Sequence, residues 1–173
     1  MMNNLKSIST SSLLCLALLL INSCAKEKVP TSTDRDLFTM SKKTDGFVWY
    51  KKSDELLEIS GGSGHGKPFL RTRYNAIAAK NLDANGKVIS GSVFEEGALI
   101  VKELYDDETT LGRYAMLYKQ SKSPDADAKG WVWGYIDANE KVVVPASGKG
   151  GSCINCHSQA ENIDYMLMNK FFP

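Results

Sequence analysis

The chain has 173 residues, of which 43% are hydrophobic, and its 21 basic and 20 acidic side chains give a formal net charge of +1. This composition is typical of a one-domain globular protein and excludes a disordered or collagen-like chain. Because the charge is near neutral and forms no basic cluster, we expect no nucleic-acid partner.

The first 23 residues have the pattern of a bacterial signal peptide. Lys6 precedes an apolar run over 13–21, which is far shorter than the ~20 apolar residues of a membrane-spanning helix. The run ends at Asn22-Ser23-Cys24, which resembles a lipobox, so we expect cleavage before Cys24 and lipidation of its thiol. The protein would then be an exported lipoprotein, anchored to a membrane by its acyl chains and facing the periplasm or the cell surface. The alternative is an ordinary secretory signal with an incidental cysteine.

Residues 24–45 are polar and charged and predict a lipidated tether, although Leu37, Phe38 and Met40 also allow this segment to dock as a short helix. The domain itself is predicted over 46–173. Apolar runs bounded by turn residues predict strands at 47–50, 69–78, 87–89, 97–105, 114–118, 131–136 and 141–144. The run at 97–105 is apolar on both faces, which is typical of a strand covered on both sides. A short helix or turn is predicted at 54–59, glycine-rich loops at 61–68 and 145–152, and a helix over 158–169. We therefore expect a mainly β (α+β) fold, an antiparallel sheet with a few short helices.

One motif near the C-terminus carries specific chemistry. Cys153-Ile154-Asn155-Cys156-His157 matches the C-x-x-C-H signature of c-type haem attachment. Two cysteines at this spacing also suit a redox disulfide or half a zinc site, but the histidine that follows favours haem. Two thioethers can reach the two vinyl groups of one porphyrin, and the next imidazole can ligate its iron. The sequence thus predicts one covalent haem c on Cys153 and Cys156, with His157 as the proximal iron ligand.

The sixth coordination position of the iron is open to several candidates. His65 is the only other histidine of the chain, and it lies in the glycine-rich loop. Met40, Met116, Met166 and Met168 are the possible thioether ligands. We expect core packing for each methionine and a loop-ordering hydrogen bond for His65, with ligation as the alternative for all five.

Two charged residues interrupt the apolar strand predicted at 97–105. By alternation, Lys102 shares a face with Ile100, whereas Glu103 shares the other face with Val101. Because both faces are apolar, at least one charge needs a partner, a shifted pKa or a function. The chain's aromatic residues are expected mostly in the core, with some of them lining the haem.

Over about 60–172 the chain resembles the cytochrome P-460 and cytochrome c′-beta family of single-haem bacterial cytochromes. The matching parts are, in order, Gly64-His65-Gly66, Tyr74-Asn75-Ala76, Phe94-Glu95-Glu96-Gly97, Val101-Lys102-Glu103, Tyr114-Ala115-Met116-Leu117-Tyr118-Lys119, Gly130-Trp131-Val132-Trp133-Gly134, the haem motif and Asp164-Tyr165. The resemblance implies an antiparallel β domain, commonly a homodimer. It also implies five-coordinate iron with an open distal pocket.

The two branches of this family imply different roles for the pocket. In the P-460 branch a lysine is joined covalently to the porphyrin, and the matching residue is Lys102. Those members oxidise hydroxylamine with the help of a distal carboxylate, whereas the c′-beta branch binds nitric oxide and other small gases. The carboxylate position follows the strand at 114–118, where this chain has Lys119 and Gln120, with Asp125 and Asp127 later in a loop.

These observations support three functional hypotheses. The first is an exported haem protein with five-coordinate iron that binds or oxidises small nitrogen species, nitric oxide or hydroxylamine. If it is an oxidoreductase, it passes electrons to an external acceptor. The alternative is a six-coordinate electron-transfer cytochrome anchored at a membrane, and the third is a gas sensor or scavenger without turnover.

Overall fold

The computed structural model of the chain describes residues 29–173, so the expected signal peptide, Cys24 and the start of the tether lie outside the described residues. The helices and strands are α1 Ser32–Ser41, β1 Val48–Trp49, β2 Leu57–Glu58, β3 Phe69–Tyr74, β4 Leu99–Tyr105, β5 Leu111–Lys119, β6 Trp131–Asp137, β7 Val142–Val144, α2 Gly151–His157 and α3 Met168–Phe171. The expected fold class, a mainly antiparallel sheet with a few short helices, is confirmed.

The seven strands form one antiparallel sheet in the order β1-β3-β4-β5-β6-β7, and β2 also pairs with β3. Its register aligns one row of residues across four strands. Thr72 on β3 pairs with Lys102 on β4, which pairs with Ala115 on β5, which pairs with Tyr135 on β6. Since paired residues point to the same side of a sheet, this row of four side chains lies on one face.

Each face of the sheet is covered by its own hydrophobic cluster. The first face packs Ile100, Leu117 and Trp133 against the C-terminal segment. The second face packs Val101 and Met116 against α1. The alternation predicted for β4 is therefore correct, because Lys102 points to the first face and Glu103 to the second.

Helix α1 is part of the domain. Thr31 and Asp34 form a capping box at its start, which satisfies two free backbone N–H groups. Leu37 and Phe38 are buried on the second face of the sheet. Asp34 also accepts a hydrogen bond of 2.8 Å from the backbone N–H of Ala146. Within the expected tether, Ser32–Ser41 thus docks as a short helix, the alternative that the sequence left open.

Three of the predicted elements differ from the structure before β4. Residues 54–59 contain strand β2, which pairs with β3, instead of a helix or turn. The strand predicted to reach Ala78 ends at Tyr74, because Asn75 turns the chain by accepting hydrogen bonds from the backbone N–H groups of Ala78 and Leu99. At 87–89 the only pairing is an isolated bridge from Val88 to Leu82.

The helix predicted over 158–169 is wrong. The C-x-x-C-H motif lies in helix α2, which begins inside the predicted loop 145–152, and only Met168–Phe171 is helical after it. Glu161, Asp164 and Tyr165 have φ values of 70°, 46° and 73°, in the left-handed region. A right-handed helix cannot pass through such residues, so the chain folds back on itself between α2 and α3.

Candidate functional site

A cavity of about 270 Å³ lies between the first face of the sheet and the C-terminal segment. Its sheet side includes Thr72, Ile100, Lys102, Ala115, Trp133 and Tyr135. The opposite wall includes His65, Cys153, Cys156, His157, Met166 and Met168. The structure thus brings both cysteines and the histidine of the motif into one cavity with Lys102 and the second histidine, although these residues are distant in sequence.

Helix α2 presents the C-x-x-C-H residues to this cavity. Cys153 and Cys156 are free thiols, three residues apart and therefore on the same side of the helix. Burial raises the pKa of the Cys153 thiol. The helix begins close to the sheet, as a Cβ atom built at Gly150 would lie only 2.7 Å from Nε1 of Trp133. Gly150 also has a φ of 79°, which favours glycine at this position.

One ring nitrogen of His157 makes a hydrogen bond, and no described residue makes one to the other ring nitrogen. Its Nδ1 lies 2.7 Å from the backbone carbonyl oxygen of Tyr165, so Nδ1 carries the proton and donates this hydrogen bond. The lone pair is then on Nε2, the form in which an imidazole binds a metal. The pKa of His157 is lowered to about 4, mainly by burial. The hydrogen bond to the Tyr165 carbonyl raises this pKa, whereas the charge of Lys102 lowers it further. The ring packs edge-on against Trp133, with the centroids 5.2 Å apart.

His65 faces the same cavity from the glycine-rich loop. Its ring centroid lies 6.1 Å from that of His157 and 5.9 Å from that of Tyr135. The loop is ordered by the Tyr135 hydroxyl, which donates a hydrogen bond of 3.0 Å to the backbone carbonyl of His65. The expected loop-ordering bond thus involves the backbone, not the ring. Burial, followed by the charges of Lys102, His157 and Arg113, lowers the pKa of His65 to about 2.

Lys102 and Glu103, adjacent on β4, have opposite surroundings. Lys102 lines the cavity, where burial lowers its pKa to about 8, while the nearby Cys156 acts in the opposite direction. Glu103 accepts hydrogen bonds on the second face from Arg71 at 2.6 Å, from Tyr105 at 2.8 Å and from Arg73. Burial alone would raise the pKa of Glu103, but these partners lower it overall. The charge of Glu103 is therefore balanced by hydrogen bonds within the fold, whereas the amine of Lys102 faces the cavity.

The methionines separate into two groups. Met40 and Met116 belong to the cluster on the second face, as the core-packing prediction requires, although Met116 also borders the cavity. Met166 and Met168 are buried in the first cluster and also line the cavity. The sulfur of Met168 accepts a hydrogen bond of 3.4 Å from the hydroxyl of Thr72.

The acidic residues after β5 do not reach the cavity. Asp127 accepts a hydrogen bond of 2.8 Å from Nε1 of Trp133, and Asp125 accepts one of 2.6 Å from Thr33. Lys119 lies 3.6 Å from Asp164. Among the described residues, the cavity lining contains no carboxylate. The proton acceptor that the P-460 branch implies is therefore not among the lining residues.

The sequence analysis missed three features that hold the site. The Tyr165 carbonyl fixes the ring of His157, the Tyr135 hydroxyl holds the loop of His65, and the Asp164 carboxylate accepts hydrogen bonds from Phe94 N and Trp131 Nε1. Every residue has a backbone carbonyl, so the amino-acid sequence does not indicate which one accepts the hydrogen bond from His157. Asp164 and Tyr165 are part of the sequence match to the cytochrome P-460 and cytochrome c′-beta family. That match was the only sequence signal that drew attention to these two residues.

Protein-family models, curated proteins and solved structures contain no match to this chain. Over 29–173 no helix is long and apolar enough to cross a membrane. The same residues contain no cluster of three or more His, Cys, Asp or Glu side chains suited to a metal ion. A porphyrin supplies its own four nitrogens to iron, so a haem site requires only an axial ligand and attachment points from the protein.

The cavity residues fit a covalently attached haem. Two free thiols and an imidazole with its Nε2 lone pair available lie on one wall, and apolar and aromatic side chains form the rest. Next to the cavity, the guanidinium of Arg113 stacks 4.7 Å from the Tyr135 ring centroid, and its buried Nε has no hydrogen-bond partner among the described residues. A haem carries two propionates, and an unsatisfied guanidinium N–H is a suitable partner for such a carboxylate.

Proposed function

We propose that the chain is an exported c-type haem protein of the cytochrome P-460 and cytochrome c′-beta kind. Cys153 and Cys156 would form the two thioether bonds, and Nε2 of His157 would ligate the iron. The observation that carries the proposal is the 2.7 Å contact between Nδ1 of His157 and the Tyr165 carbonyl, in a cavity shared with both thiols. Metal-binding histidines typically donate their second ring N–H to such an acceptor.

The proposed activity is the binding of a small nitrogen species, nitric oxide or hydroxylamine, at the iron that His157 would ligate. When bound, the haem supplies the coordination site and any redox chemistry. The protein would hold and enclose it, because Ile100, Leu117 and Trp133 form an apolar wall that would exclude water. The resemblance implies five-coordinate iron for this function.

Reversible binding has more support than oxidation of hydroxylamine. Oxidation needs a base for the released protons and an external electron acceptor, and within 29–173 no carboxylate lines the cavity to serve as that base. Lys102 is the one lysine among the described residues that line the cavity, and burial lowers the pKa of its amine to about 8. A neutral amine fraction is what a covalent bond to the porphyrin edge would require, so we retain this crosslink as part of the proposal.

Electron transfer is the second candidate function. It is favoured by the position of His65, whose ring centroid is 6.1 Å from that of His157 in the same cavity. Two axial histidines would give the six-coordinate iron of an electron-transfer cytochrome. The two functions differ in one observable property, the access of an external ligand to the iron.

The membrane anchor is a separate part of the proposal. We expect the lipid on Cys24 to hold the protein at the membrane, with the docked domain beginning near α1. In a bacterial host that processes lipoproteins, Cys24→Ser should move the protein from the membrane fraction to the soluble fraction. Cell fractionation would measure this, and retention of the variant in the membrane would contradict a lipid anchor.

Absorption spectra of the purified haem-loaded protein test the activity. The gas-binding proposal predicts that carbon monoxide and nitric oxide shift the Soret band of the ferrous protein. A ferrous spectrum that neither gas changes would reject it in favour of electron transfer.

A covalent bond between Lys102 and the porphyrin is a separate prediction. It predicts a strongly red-shifted ferrous Soret band that Lys102→Ala abolishes with haem retained. Lys80→Ala, at a lysine that forms an exposed ion pair with Glu95, is the matched control and should leave the band unchanged.

A further inference from the structure

We propose that Asp164 is a positioning residue of the iron site. It holds the turn at 163–166 in a shape that directs the backbone carbonyl of Tyr165 at Nδ1 of His157, and so sets the electron density that His157 gives to the iron. This inference rests on the proposed function, because it requires a covalently attached haem. It goes beyond that function by assigning control of the reduction potential to a carboxylate that does not line the cavity.

The turn that carries the acceptor carbonyl is a two-residue hairpin turn. The backbones of Ile163 and Met166 exchange hydrogen bonds of 2.9 Å and 2.8 Å, and Asp164 and Tyr165 lie between them with φ values of 46° and 73°. Positive φ at both central residues is the requirement of a type I′ turn, where asparagine, aspartate and glycine are favoured. Asp164 suits its position, but a bulky tyrosine is strained at such a φ. The turn therefore needs contacts from elsewhere to keep this shape.

The carboxylate of Asp164 supplies these contacts. Its Oδ2 accepts a hydrogen bond of 3.0 Å from the backbone N–H of Phe94, and its Oδ1 accepts one of 3.1 Å from Nε1 of Trp131. The ammonium group of Lys119 lies 3.6 Å from Oδ2, and the Asp164 side chain is only 7% exposed. Because both oxygens are used and the three partners come from separate parts of the chain, the carboxylate fixes the turn against the sheet.

Tyr165 and His157 are supported by the same tryptophan. The Tyr165 ring packs against that of Trp133 with the centroids 5.2 Å apart, and the His157 ring packs edge-on against it at the same distance. The backbone N–H of Tyr165 also donates a hydrogen bond of 3.1 Å to Oδ1 of Asn162. The resulting distance of 2.7 Å between Nδ1 of His157 and the Tyr165 carbonyl is at the short end of the ordinary range. Donor and acceptor are thus both held in place.

A short, well-held hydrogen bond at Nδ1 changes what His157 does at Nε2. An imidazole that donates its second N–H to an acceptor is a more basic ligand. A more basic axial ligand stabilises ferric iron more than ferrous iron, so this hydrogen bond lowers the reduction potential and strengthens the iron–histidine bond. The Asp164 clamp thereby sets how strong an electron donor must be to populate the ferrous form, which is the form that takes up carbon monoxide.

Resonance Raman spectra and redox titrations of the haem-loaded full chain test this. In Asp164→Ala we expect the iron–histidine stretching band of the ferrous protein to move to lower frequency and the reduction potential to rise. Asp164→Asn keeps one acceptor oxygen and tolerates positive φ, so it should restore most of the band position. Both variants remove the same negative charge. The difference between them therefore reports the hydrogen bonds of the side chain and not its charge.

Two further variants complete the test. Glu161→Gln removes an exposed carboxylate of the same turn and should leave the band unchanged. Trp131→Phe removes one of the two donors to Asp164 and should lower the band by a smaller amount, which decides the matter if Asp164→Ala does not fold. If the iron is six-coordinate and shows no such band, a rise in potential that Asp164→Asn largely reverses is the expected result.

The outcomes separate this inference from the proposed function. An unchanged band and potential in the folded variants would show that Asp164 serves stability only. Equal shifts in Asp164→Ala and Asp164→Asn would show an effect of charge alone, and an equal shift in Glu161→Gln would remove any special role of Asp164. Each of these results overturns the inference and leaves the haem site in place. An unmodified protein without haem would overturn the proposed function and the inference together.

Discussion

At the scale of single residues, β4 places two opposite charges back to back in an apolar sheet. Glu103 is stabilised by three hydrogen-bond donors on the second face, of which the guanidinium of Arg73 is 0% exposed. Arg73 in turn donates to the backbone carbonyls of Ser41 and Lys43, so the pair also ties the end of α1 to the sheet. Among the described residues Lys102 has no comparable hydrogen-bond partners, and it lines the cavity, so its position is better explained by the cavity than by the fold.

Glu103→Gln should therefore destabilise the protein strongly. The variant leaves Arg73 buried without a counter-charge, and breaking a buried pair in this way costs about 3–5 kcal/mol. Urea denaturation at pH 7 would measure the change in the free energy of unfolding. Glu95→Gln, which breaks the exposed pair with Lys80, is the matched control and should cost less than about 1 kcal/mol.

The destabilisation by Glu103→Gln should depend on pH. The partners of Glu103 lower its pKa in the folded protein below the ordinary value of 4.5. Its ionised form thus stabilises the fold fully above pH 4.5, and this stabilisation is lost as the pH falls through the lower folded-state pKa. The difference between the unmodified protein and the variant should accordingly shrink in acid. An equal difference at pH 7 and pH 3 would contradict the ion-pair interpretation.

Residue alternation predicted the faces of Lys102 and Glu103 correctly, because a period of two depends only on the strand itself. It could not identify the partners of Glu103, since Arg71 and Arg73 are supplied by β3 and their position depends on strand register. The sequence left open whether His65 approaches the iron site, but the contact of its ring with that of His157 was not predictable. It depends on the path of a glycine-rich loop, for which periodicity gives no information.

At the scale of elements, helix α1 decides where the domain begins. Leu37 is 1% exposed and packs over β6 at Gly134, where a Cβ atom would lie 2.8 Å from Cδ1 of Leu37. A leucine that packs directly on the strand backbone holds the helix in place. The composition of 24–45 predicted a tether because only a few apolar residues mark this helix.

Leu37→Ala should lower the free energy of unfolding by about 2–5 kcal/mol, the range for removing a buried leucine side chain. Thermal or urea denaturation would measure it. Val29→Ala is a suitable control, because Val29 is 85% exposed and its truncation should change stability by less than about 0.5 kcal/mol. Equal, small effects of both variants would show that α1 does not pack on the sheet in solution.

The segment between α2 and α3 shows why the C-terminal helix was predicted wrongly. Ile163 and Leu167 have helical spacing, yet both serve a folded-back turn. Asp164 accepts hydrogen bonds from Phe94 N at 3.0 Å and Trp131 Nε1 at 3.1 Å, and it also lies near Lys119. These three partners come from distant parts of the chain, so no local pattern could reveal that they override helix formation here.

Asp164→Ala should cost about 3 kcal/mol, because it removes two hydrogen bonds to a charged group and leaves the largely buried Lys119 without its partner. Asp164→Asn, which keeps one acceptor oxygen and tolerates positive φ, should cost less. Denaturation of both variants would measure the order. Glu161→Ala, at an exposed carboxylate of the same turn, is the control, and a cost equal to that of Asp164→Ala would contradict the pinning role of Asp164.

At the scale of the whole molecule, the sheet separates a structural side from a chemical side. The second face holds α1 and the Arg73–Glu103 pair, whereas the first face holds the cavity, both histidines and Lys102. The strands that form this division follow from alternation and were largely predictable. The cavity was not, because it arises where the C-terminal segment leaves a space against the sheet, and that depends on the turn pinned by Asp164.

The account depends most directly on a porphyrin bonded to Cys153 and Cys156. The full chain should be produced in a host that attaches c-type haem, extracted with acidified acetone and examined by mass spectrometry of the intact polypeptide. We predict that the colour stays with the polypeptide and that each chain gains the mass of one haem, both of which Cys153→Ala/Cys156→Ala abolishes. A colourless polypeptide without added mass, from a host that attaches haem to a known control cytochrome, would contradict the account.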